Sequence, residues 1–321
     1  KVFPLDVSSV SLPAVGFQPV AIASMLGDEG ESFVEEFLTT VLKENEAREG
    51  LAGAPARPYM DERMRKDPAE YVKFLVRMMD CNMIELSSEP PVETVGFFGV
   101  AKKNKKVRLV IDARRSNCWF SKPKHVKLCT GASLAELKLP AGEALHVSHF
   151  DIENAFYTFQ LPPSMRRYFG CPSVWASDLG ITALDGVALA AGSRLYPRLR
   201  VLPMGFSHAL WVCQEVHRRI LINAGMPDTY MVCDREAPPS LDPWAYTVYV
   251  DNAIFLGTDE HEVRERMERA RAAVEAAGLP THEVQHCEGA AEVLGWEILS
   301  EGVVRPKPSR AWRVILSIDW I

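Results

Sequence analysis

Two aspartates follow apolar runs at widely separated places in the chain. Asp151 ends a strand-like run at 144–150, and Asp251 follows a second run at 246–250. Carboxylates that converge at the ends of neighbouring strands bind Mg²⁺, which prefers hard oxygen ligands. Two such ions can stabilise the attacking and leaving oxygens of a phosphoryl transfer. A single Asp at a turn is more often structural, so these two residues alone leave both interpretations open.

The elements that must position these aspartates follow from periodicity. Apolar alternation predicts strands at 144–150, 246–250 and 253–256, and amphipathic spacing predicts helices at 207–224 and 261–277. Asp251 and Asn252 are predicted to form a two-residue hairpin turn, because Asn tolerates the left-handed conformation. Ser207 is predicted to cap the first helix. Strands and helices interleave without the regular alternation of a doubly wound sheet, which favours an α+β fold.

A basic segment forms a second candidate site. Strand-like runs at 95–101 and 107–111 flank a loop rich in lysine and predict a β-hairpin with a basic tip. The net charge of −6 argues weakly against nucleic-acid binding, but a compact basic face can still bind phosphate. On this feature alone, a solvated surface is the favoured interpretation.

Several classes of protein are disfavoured by composition. No apolar run approaches the roughly 20 residues of a membrane span, so no membrane association is expected. The seven cysteines are odd in number and none has C-x-x-C spacing, which argues against a disulfide framework or a zinc site. Reduced thiols indicate an intracellular protein, in cytoplasm or nucleus. P-loop, H-E-x-x-H and G-x-S-x-G motifs are absent.

A series of segments occurs in a fixed order between about Met83 and Pro308. The segments are 83–87; 102–108 with 110–117, which contains D-x-R-x-x-N; 150–157; 202–207, reading L-P-M-G-F-S; 249–252, reading Y-V-D-N; 261–279; and 294–296, reading L-G-W. Each is weak evidence alone. Together, their order and spacing resemble the reverse transcriptases of retroelements, nearest to the long-terminal-repeat and related retrotransposon types.

The resemblance implies a right-hand polymerase palm, an antiparallel sheet backed by helices, with a fingers subdomain. The implied domains are an N-terminal helical extension at 1–82, fingers at 83–135, a palm at 136–300 with insertions near 171–200 and 225–243, and the start of a truncated thumb or connection at 301–321. We expect a longer parent polyprotein that carries further domains, such as a thumb and RNase H.

By the same resemblance, Asp151 and Asp251 are the metal ligands, helped by the backbone carbonyl of Ile152. Asn252 completes the catalytic turn. It stands where the family usually has a second Asp, which removes one negative charge beside the metal. Trp296 is implied as the primer grip, although burial in the core is at least as common for a Trp.

The implied nucleotide contacts come from other segments. Lys102 or Lys103, together with Arg108, is expected to bind the incoming triphosphate, because cations offset charge on phosphates. Phe156 is expected to be the steric gate against a 2′-hydroxyl, with a core aromatic as the close alternative. Met204 and Gly205 are expected to lie next to the nucleotide and the template. For Gly205, an ordinary loop glycine without a ligand contact is a nearly equal alternative.

The implied function is that of an RNA-directed DNA polymerase, a nucleotidyltransferase that uses Mg²⁺ or Mn²⁺. Its expected partners are an RNA or DNA template, a primer and dNTPs. One alternative is a catalytically impaired or domesticated palm that binds nucleic acid, which Asn252 keeps open. Another alternative is an RNA-templated RNA polymerase. The paired lysines Lys102 and Lys103 and the bulky Phe156 favour the use of deoxynucleotides and so argue against it.

Overall fold

The computed structural model of the 321-residue chain describes residues 2–43, 47–101, 106–287 and 291–307. It is a mixed α and β structure. Its strands are β1 (Val2–Phe3), β2 (Val10–Ser11), β3 (Val20–Ala21), β4 (Ile84–Ser87), β5 (Gly96–Ala101), β6 (Val107–Asp112), β7 (His146–Ile152), β8 (Phe159–Gln160), β9 (Val174–Trp175), β10 (Ala183–Leu184), β11 (Val187–Ala188), β12 (Arg194–Leu199), β13 (Ala245–Tyr249), β14 (Asn252–Gly257), β15 (Thr281–Cys287), β16 (Ala291–Val293), β17 (Trp296–Ile298) and β18 (Val304–Pro306).

The helices lie between these strands. They are α1 (Ile22–Met25), α2 (Gly30–Val41), α3 (Ala47–Gly53), α4 (Glu62–Lys66), α5 (Pro68–Asp80), α6 (Gly131–Ala135), α7 (Ala155–Thr158), α8 (Pro163–Arg166), α9 (Ala209–Asn223) and α10 (Glu260–Ala276). Within the described ranges, no helix combines the length and the apolar character that a membrane span requires.

The chain forms two compact units. The first combines Lys1–Lys124 with Asn154–Cys213, and the second combines His125–Glu153 with the chain from Gln214 onward. The boundaries of these two units differ from the sequence-based domain boundaries at 82, 135 and 300. Strands from the N-terminal segment account for part of the difference, because β1 pairs with β5 and β2 pairs with β6.

The first unit contains the predicted basic hairpin. β5 and β6 pair antiparallel from Gly96 and Asp112 to Ala101 and Val107, within a sheet of order β1-β5-β6-β2. The alternation along β6 explains the strand, since Val107 and Leu109 are buried while Arg108 is exposed. A second sheet has the order β4-β12-β9. β12 lies inside the segment that the sequence suggested was an insertion.

The second unit is built on an antiparallel sheet of order β13-β14-β7-β15. Helix α10 packs on β7 and β14. It begins where the Asp259 side chain accepts a hydrogen bond of 3.0 Å from the Glu262 N–H. Its buried residues recur at helical spacing and are Val263, Met267, Ala270 and Val274. The predicted helix at 261–277 is therefore observed at Glu260–Ala276, one residue earlier at each end.

The end of the described chain adds a small antiparallel sheet of order β16-β17-β18. Its apolar residues join a cluster on the second unit that includes Leu134, Val147, Leu256, Ile298 and their neighbours.

Candidate active site

Asp151 and Asp251 lie at the same end of the second unit's sheet. Asp151 is the penultimate residue of β7, and it pairs with Asn252, the first residue of β14. The N–H of Ile152 donates a hydrogen bond of 2.9 Å to the backbone carbonyl of Asp251. The structure thus brings together the four residues that the sequence singled out in this region: Asp151, Ile152, Asp251 and Asn252.

The Asp151 carboxyl has an unusual environment. Burial, the neighbouring charge of Asp251 and, to a smaller extent, the charge of Glu283 raise its pKa to about 7. Its Oδ1 atom is buried and has no hydrogen-bond partner among the described residues. A carboxylate oxygen that is shielded from water without a donor is costly unless a cation or a proton compensates it. The site therefore suits a divalent cation.

The turn that carries Asp251 differs from the prediction. Tyr249 pairs with Asn252, so the two central turn residues are Val250 and Asp251 rather than Asp251 and Asn252. The left-handed residue is Val250, with φ 58°. A hairpin turn that needs positive φ at its first central position normally has Gly there. A β-branched residue in this conformation is strained.

Two side chains of α9 hold this turn. Gln214 Oε1 accepts a hydrogen bond of 2.7 Å from the Val250 N–H. His217 Nδ1 lies 3.0 Å from the Val250 carbonyl oxygen, to which it can donate. Both side chains are buried, with exposures of 3% for Gln214 and 0% for His217. Sequence reasoning missed both residues; the available signal was two polar residues on the helix face that also carries the buried Leu221.

The edge strand β15 contributes two further neighbours that the sequence did not reveal. His282 pairs with Asp151, and the pairing of β15 with β7 shifts between His282 and Gln285. Glu283 occupies that irregularity with φ 51°. Bulges of this kind re-aim side chains, and nothing in the local sequence distinguishes this Glu from a surface residue.

In the first unit, the loop that contains Met204 and Gly205 packs on β6. The Met204 carbonyl accepts a hydrogen bond of 2.9 Å from the Ile111 N–H. A Cβ on Gly205, whose φ is +139°, would lie 2.0 Å from the Ile111 carbonyl oxygen. Gly205 is therefore required by a close approach of two backbone segments, whereas the sequence suggested approach to a ligand.

The D-x-R-x-x-N segment stabilises the same region. The Asn117 side chain donates a hydrogen bond of 3.0 Å to the Gly205 carbonyl and accepts one of 2.9 Å from the Ser207 N–H. The prediction that Ser207 caps α9 is wrong. The helix begins at Ala209, and the buried Ser207 hydroxyl has no hydrogen-bond partner among the described residues.

Asp112, the first residue of that segment, is buried but well satisfied. It accepts hydrogen bonds from the Tyr59 N–H at 2.5 Å and from Arg114 Nε at 2.8 Å. Burial alone would raise the pKa of Asp112. The hydrogen bonds that it accepts have a larger combined effect in the opposite direction, so the pKa lies below its ordinary value. The contrast with Asp151 is clear, because Asp112 has donors and the buried oxygen of Asp151 has none.

The remaining expected nucleotide contacts also belong to the first unit. Arg108 is exposed on β6, and Phe156 is half-buried in the short helix α7. Lys102 and Lys103 lie outside the described residues.

Trp296 lies on β17 and packs against the apolar cluster of the second unit. Its indole also covers Gly131, where a Cβ would meet the ring at 2.0 Å. This packing explains the presence of Trp296, because its side chain anchors the small sheet on the second unit.

The metal-binding potential rests on a pair of carboxylates. Across the described ranges, no group of three or more His, Cys, Asp or Glu side chains is arranged to hold a metal ion. Asp151 and Asp251 would therefore need further oxygens from the backbone, from water or from a substrate phosphate. Mg²⁺ commonly uses one or two carboxylates in this way.

Comparison with known proteins gives a structural match only. No protein-family model matches the chain, and no curated protein matches it. Among solved structures, the chain is similar to a foamy viral protease-reverse transcriptase in complex with double-stranded DNA, with a TM-score of 0.55 and 12% sequence identity. The match covers 96% of this chain and 51% of the other, so the chain spans about half the length of that protein. At this identity the likeness concerns the fold, which is reverse-transcriptase-like.

Proposed function

We propose that the chain is the fingers and palm region of an RNA-directed DNA polymerase of a retroelement, which adds nucleotides to a primer 3′-hydroxyl. The observation that carries the proposal is the buried, donor-free Oδ1 of Asp151 beside Asp251 at one end of an antiparallel sheet. A pair of carboxylates in this state suits metal-assisted phosphoryl transfer. The fold likeness to a reverse transcriptase supports the same assignment.

In this proposal, Asp151, Asp251 and the carbonyl oxygen of Ile152 hold divalent metal. Bound Mg²⁺ supplies Lewis-acid stabilisation of the attacking and leaving oxygens. The pKa of Asp151 near 7 means that its proton must leave before the carboxylate can bind a cation. Asp251 is oriented by the Asn252 amide, which donates a hydrogen bond of 3.1 Å to its Oδ1.

The remaining roles are proposed for the first unit and for Trp296. Arg108, with Lys102 and Lys103, binds the triphosphate of the incoming nucleotide. Phe156 limits access of a 2′-hydroxyl, which selects dNTPs. The hydrogen bond from the Ile111 N–H to the Met204 carbonyl keeps this loop on β6. Trp296 supports the primer strand through the small sheet that it anchors.

A second candidate function is nucleic-acid binding without catalysis. Asn252 favours it, because an amide contributes no charge to the metal site and its nitrogen already faces Asp251. The decisive experiment is primer extension on RNA and DNA templates with Mg²⁺ or Mn²⁺. Asp151→Ala and Asp251→Ala are the controls. Template binding without extension in any metal would favour the second function, and extension with rNTPs alone would indicate an RNA polymerase.

A further inference from the structure

The turn between β13 and β14 is held in an unfavourable conformation by side chains from a different element. Val250 has φ 58°, a conformation that is strained for a β-branched residue. Such strain persists only where surrounding contacts impose it. The contacts that impose it here are the hydrogen bond that the Val250 N–H donates to Gln214 and the one that His217 donates to the Val250 carbonyl.

Gln214 is fully used by this arrangement. Its Oε1 accepts from the Val250 N–H at 2.7 Å, while its Nε2 donates to the Val248 carbonyl at 2.9 Å and to the Lys127 carbonyl at 3.2 Å. One buried amide thus binds the last part of β13 and the first turn residue. A shorter or apolar side chain would leave buried backbone groups without partners.

His217 connects the turn to the other aspartate-bearing strand. Its Nδ1 faces the Val250 carbonyl at 3.0 Å, and its ring contacts that of Phe150 with centroids 6.0 Å apart. Phe150 directly precedes Asp151 on β7. To donate this hydrogen bond, Nδ1 must carry the proton, so Nε2 of the neutral ring is unprotonated. Nε2 is buried and has no hydrogen-bond partner in the described part of the chain. The ring is therefore a dedicated donor to the turn.

We propose that Gln214 and His217 are positioning residues that impose the left-handed conformation on Val250 and so place Asp251 beside Asp151 for metal binding. This inference rests on the proposed metal site but assigns residues that touch neither metal nor substrate. The strain locks the carboxylate in place before any ligand arrives. A relaxed turn would let Asp251 sample other orientations and would weaken the site without removing a ligand.

The test measures Mn²⁺ binding by electron paramagnetic resonance in the absence of nucleotide and primer. His217→Leu removes the donor, whereas His217→Asn keeps an amide N–H near the position of Nδ1 in a smaller side chain. We expect the Mn²⁺ dissociation constant to rise about tenfold in His217→Leu and in Gln214→Met, and to stay within about twofold of wild type in His217→Asn. Equal Mn²⁺ affinity in all variants, with lowered stability only, would overturn the inference.

A second set of variants, made in the Val250→Gly protein, distinguishes loss of positioning from misfolding. Gly adopts positive φ without strain, so Val250→Gly should fold without the imposed bonds. In that background, His217→Leu should lower the melting temperature less than it does in wild type, and the double variant should remain folded for the Mn²⁺ titration. Strictly additive losses of stability would contradict the coupling between His217 and the Val250 conformation.

These readouts separate the inference from the proposed function. If wild type binds Mn²⁺ and the variants weaken it as expected, the positioning role stands even when no primer is extended, and only the polymerase assignment falls. If wild type binds no Mn²⁺, the positioning role falls together with the metal site.

Discussion

The side-chain amide of Asn252 donates a hydrogen bond of 3.1 Å to the carboxylate of Asp251. The same residue pairs with Asp151 across β7 and β14. Asn252 is therefore a neighbour of both aspartates; it orients one of them and adds no charge. This placement makes the residue informative about how the site binds cations.

We expect Asn252→Asp to lower the Mg²⁺ concentration for half-maximal primer extension on the order of tenfold, because one more unit charge lies close to the cation. Without metal, the same change should lower stability, since a third acid joins Asp151 and Asp251. Mg²⁺ titration of primer extension, with thermal unfolding in EDTA, measures both effects. Asn223→Asp, which adds a charge at an exposed position on α9, is the matched control. Identical Mg²⁺ curves for wild type and Asn252→Asp would place the residue outside the metal environment.

Asp151→Asn should abolish primer extension and stabilise the metal-free protein. The folded pKa of Asp151 lies near 7, above its ordinary 3.8, so folding favours the protonated form. Stability from this group is present below pH 3.8 and is lost as pH rises to about 7. At pH 8 the neutral amide should gain about 2 kcal/mol, a figure discounted for the partial exposure of Asp151. Urea unfolding in EDTA at pH 8 and pH 4 measures this gain, which should vanish at the lower pH.

Asp112→Asn is the matched control for this experiment. Asp112 has a lowered pKa because hydrogen bonds from Arg114 and the Tyr59 N–H outweigh its burial, so the same substitution should destabilise the protein, by about 1–3 kcal/mol. A loss of stability in both variants would contradict the difference that we infer between a satisfied and an unsatisfied carboxylate.

Sequence patterns anticipated the regular parts of this arrangement. The hairpin of β5 and β6, helix α10 and the strands that carry Asp151 and Asp251 follow from apolar periodicity, which needs no tertiary information. The Val250 turn could not be predicted, because its left-handed conformation violates the local preference of Val and depends on Gln214 and His217, more than 30 positions away. Tertiary contacts override local preference where a site is strained.

The edge strand shows a similar limit. The bulge that contains Glu283 is defined by the pairing of β15 with β7, so it depends on register and not on local composition. β12 was hidden for another reason. Its run Arg194–Leu199 contains Pro197 and two arginines, which are poor strand signals, although the strand lies at the centre of its sheet.

Gly205→Ala should disrupt the loop on β6. The added Cβ would lie 2.0 Å from the Ile111 carbonyl oxygen, at a φ of +139°, so we expect a loss of more than about 3 kcal/mol. Gly142→Ala is the control, because φ there is +87° but nothing lies within 4 Å of the added Cβ; its cost should be about 1–2 kcal/mol. Chemical denaturation of both variants measures the difference, and equal losses would mean that the loop can move away from β6.

Phe156→Ala should admit ribonucleotides. The ring is half-buried in α7, so its removal opens space at the surface at modest cost to the core. We expect the preference for dNTP over rNTP, measured as the ratio of kcat/KM values, to fall on the order of 10-fold to 100-fold. Phe159→Leu, at a position with 0% exposure, should lower stability and leave the ratio unchanged. An unaltered ratio in Phe156→Ala would identify Phe156 as a core residue only.

His217 should make the protein sensitive to acid. Burial lowers its pKa to about 4, although the hydrogen bond to the Val250 carbonyl opposes this shift. In the unfolded chain the ring binds a proton near its ordinary pKa of 6.5, so the unfolded state takes up the proton first as pH falls. Stability is therefore fully present above pH 6.5 and decreases towards pH 4, by up to about 3 kcal/mol from this residue. Urea unfolding of wild type and His217→Asn at pH 7.5 and pH 4.5 isolates the contribution, because the amide cannot titrate. A parallel loss of stability in both proteins would show that the ring takes up a proton as readily in the folded state as in the unfolded state, and burial would then not lower the pKa of His217.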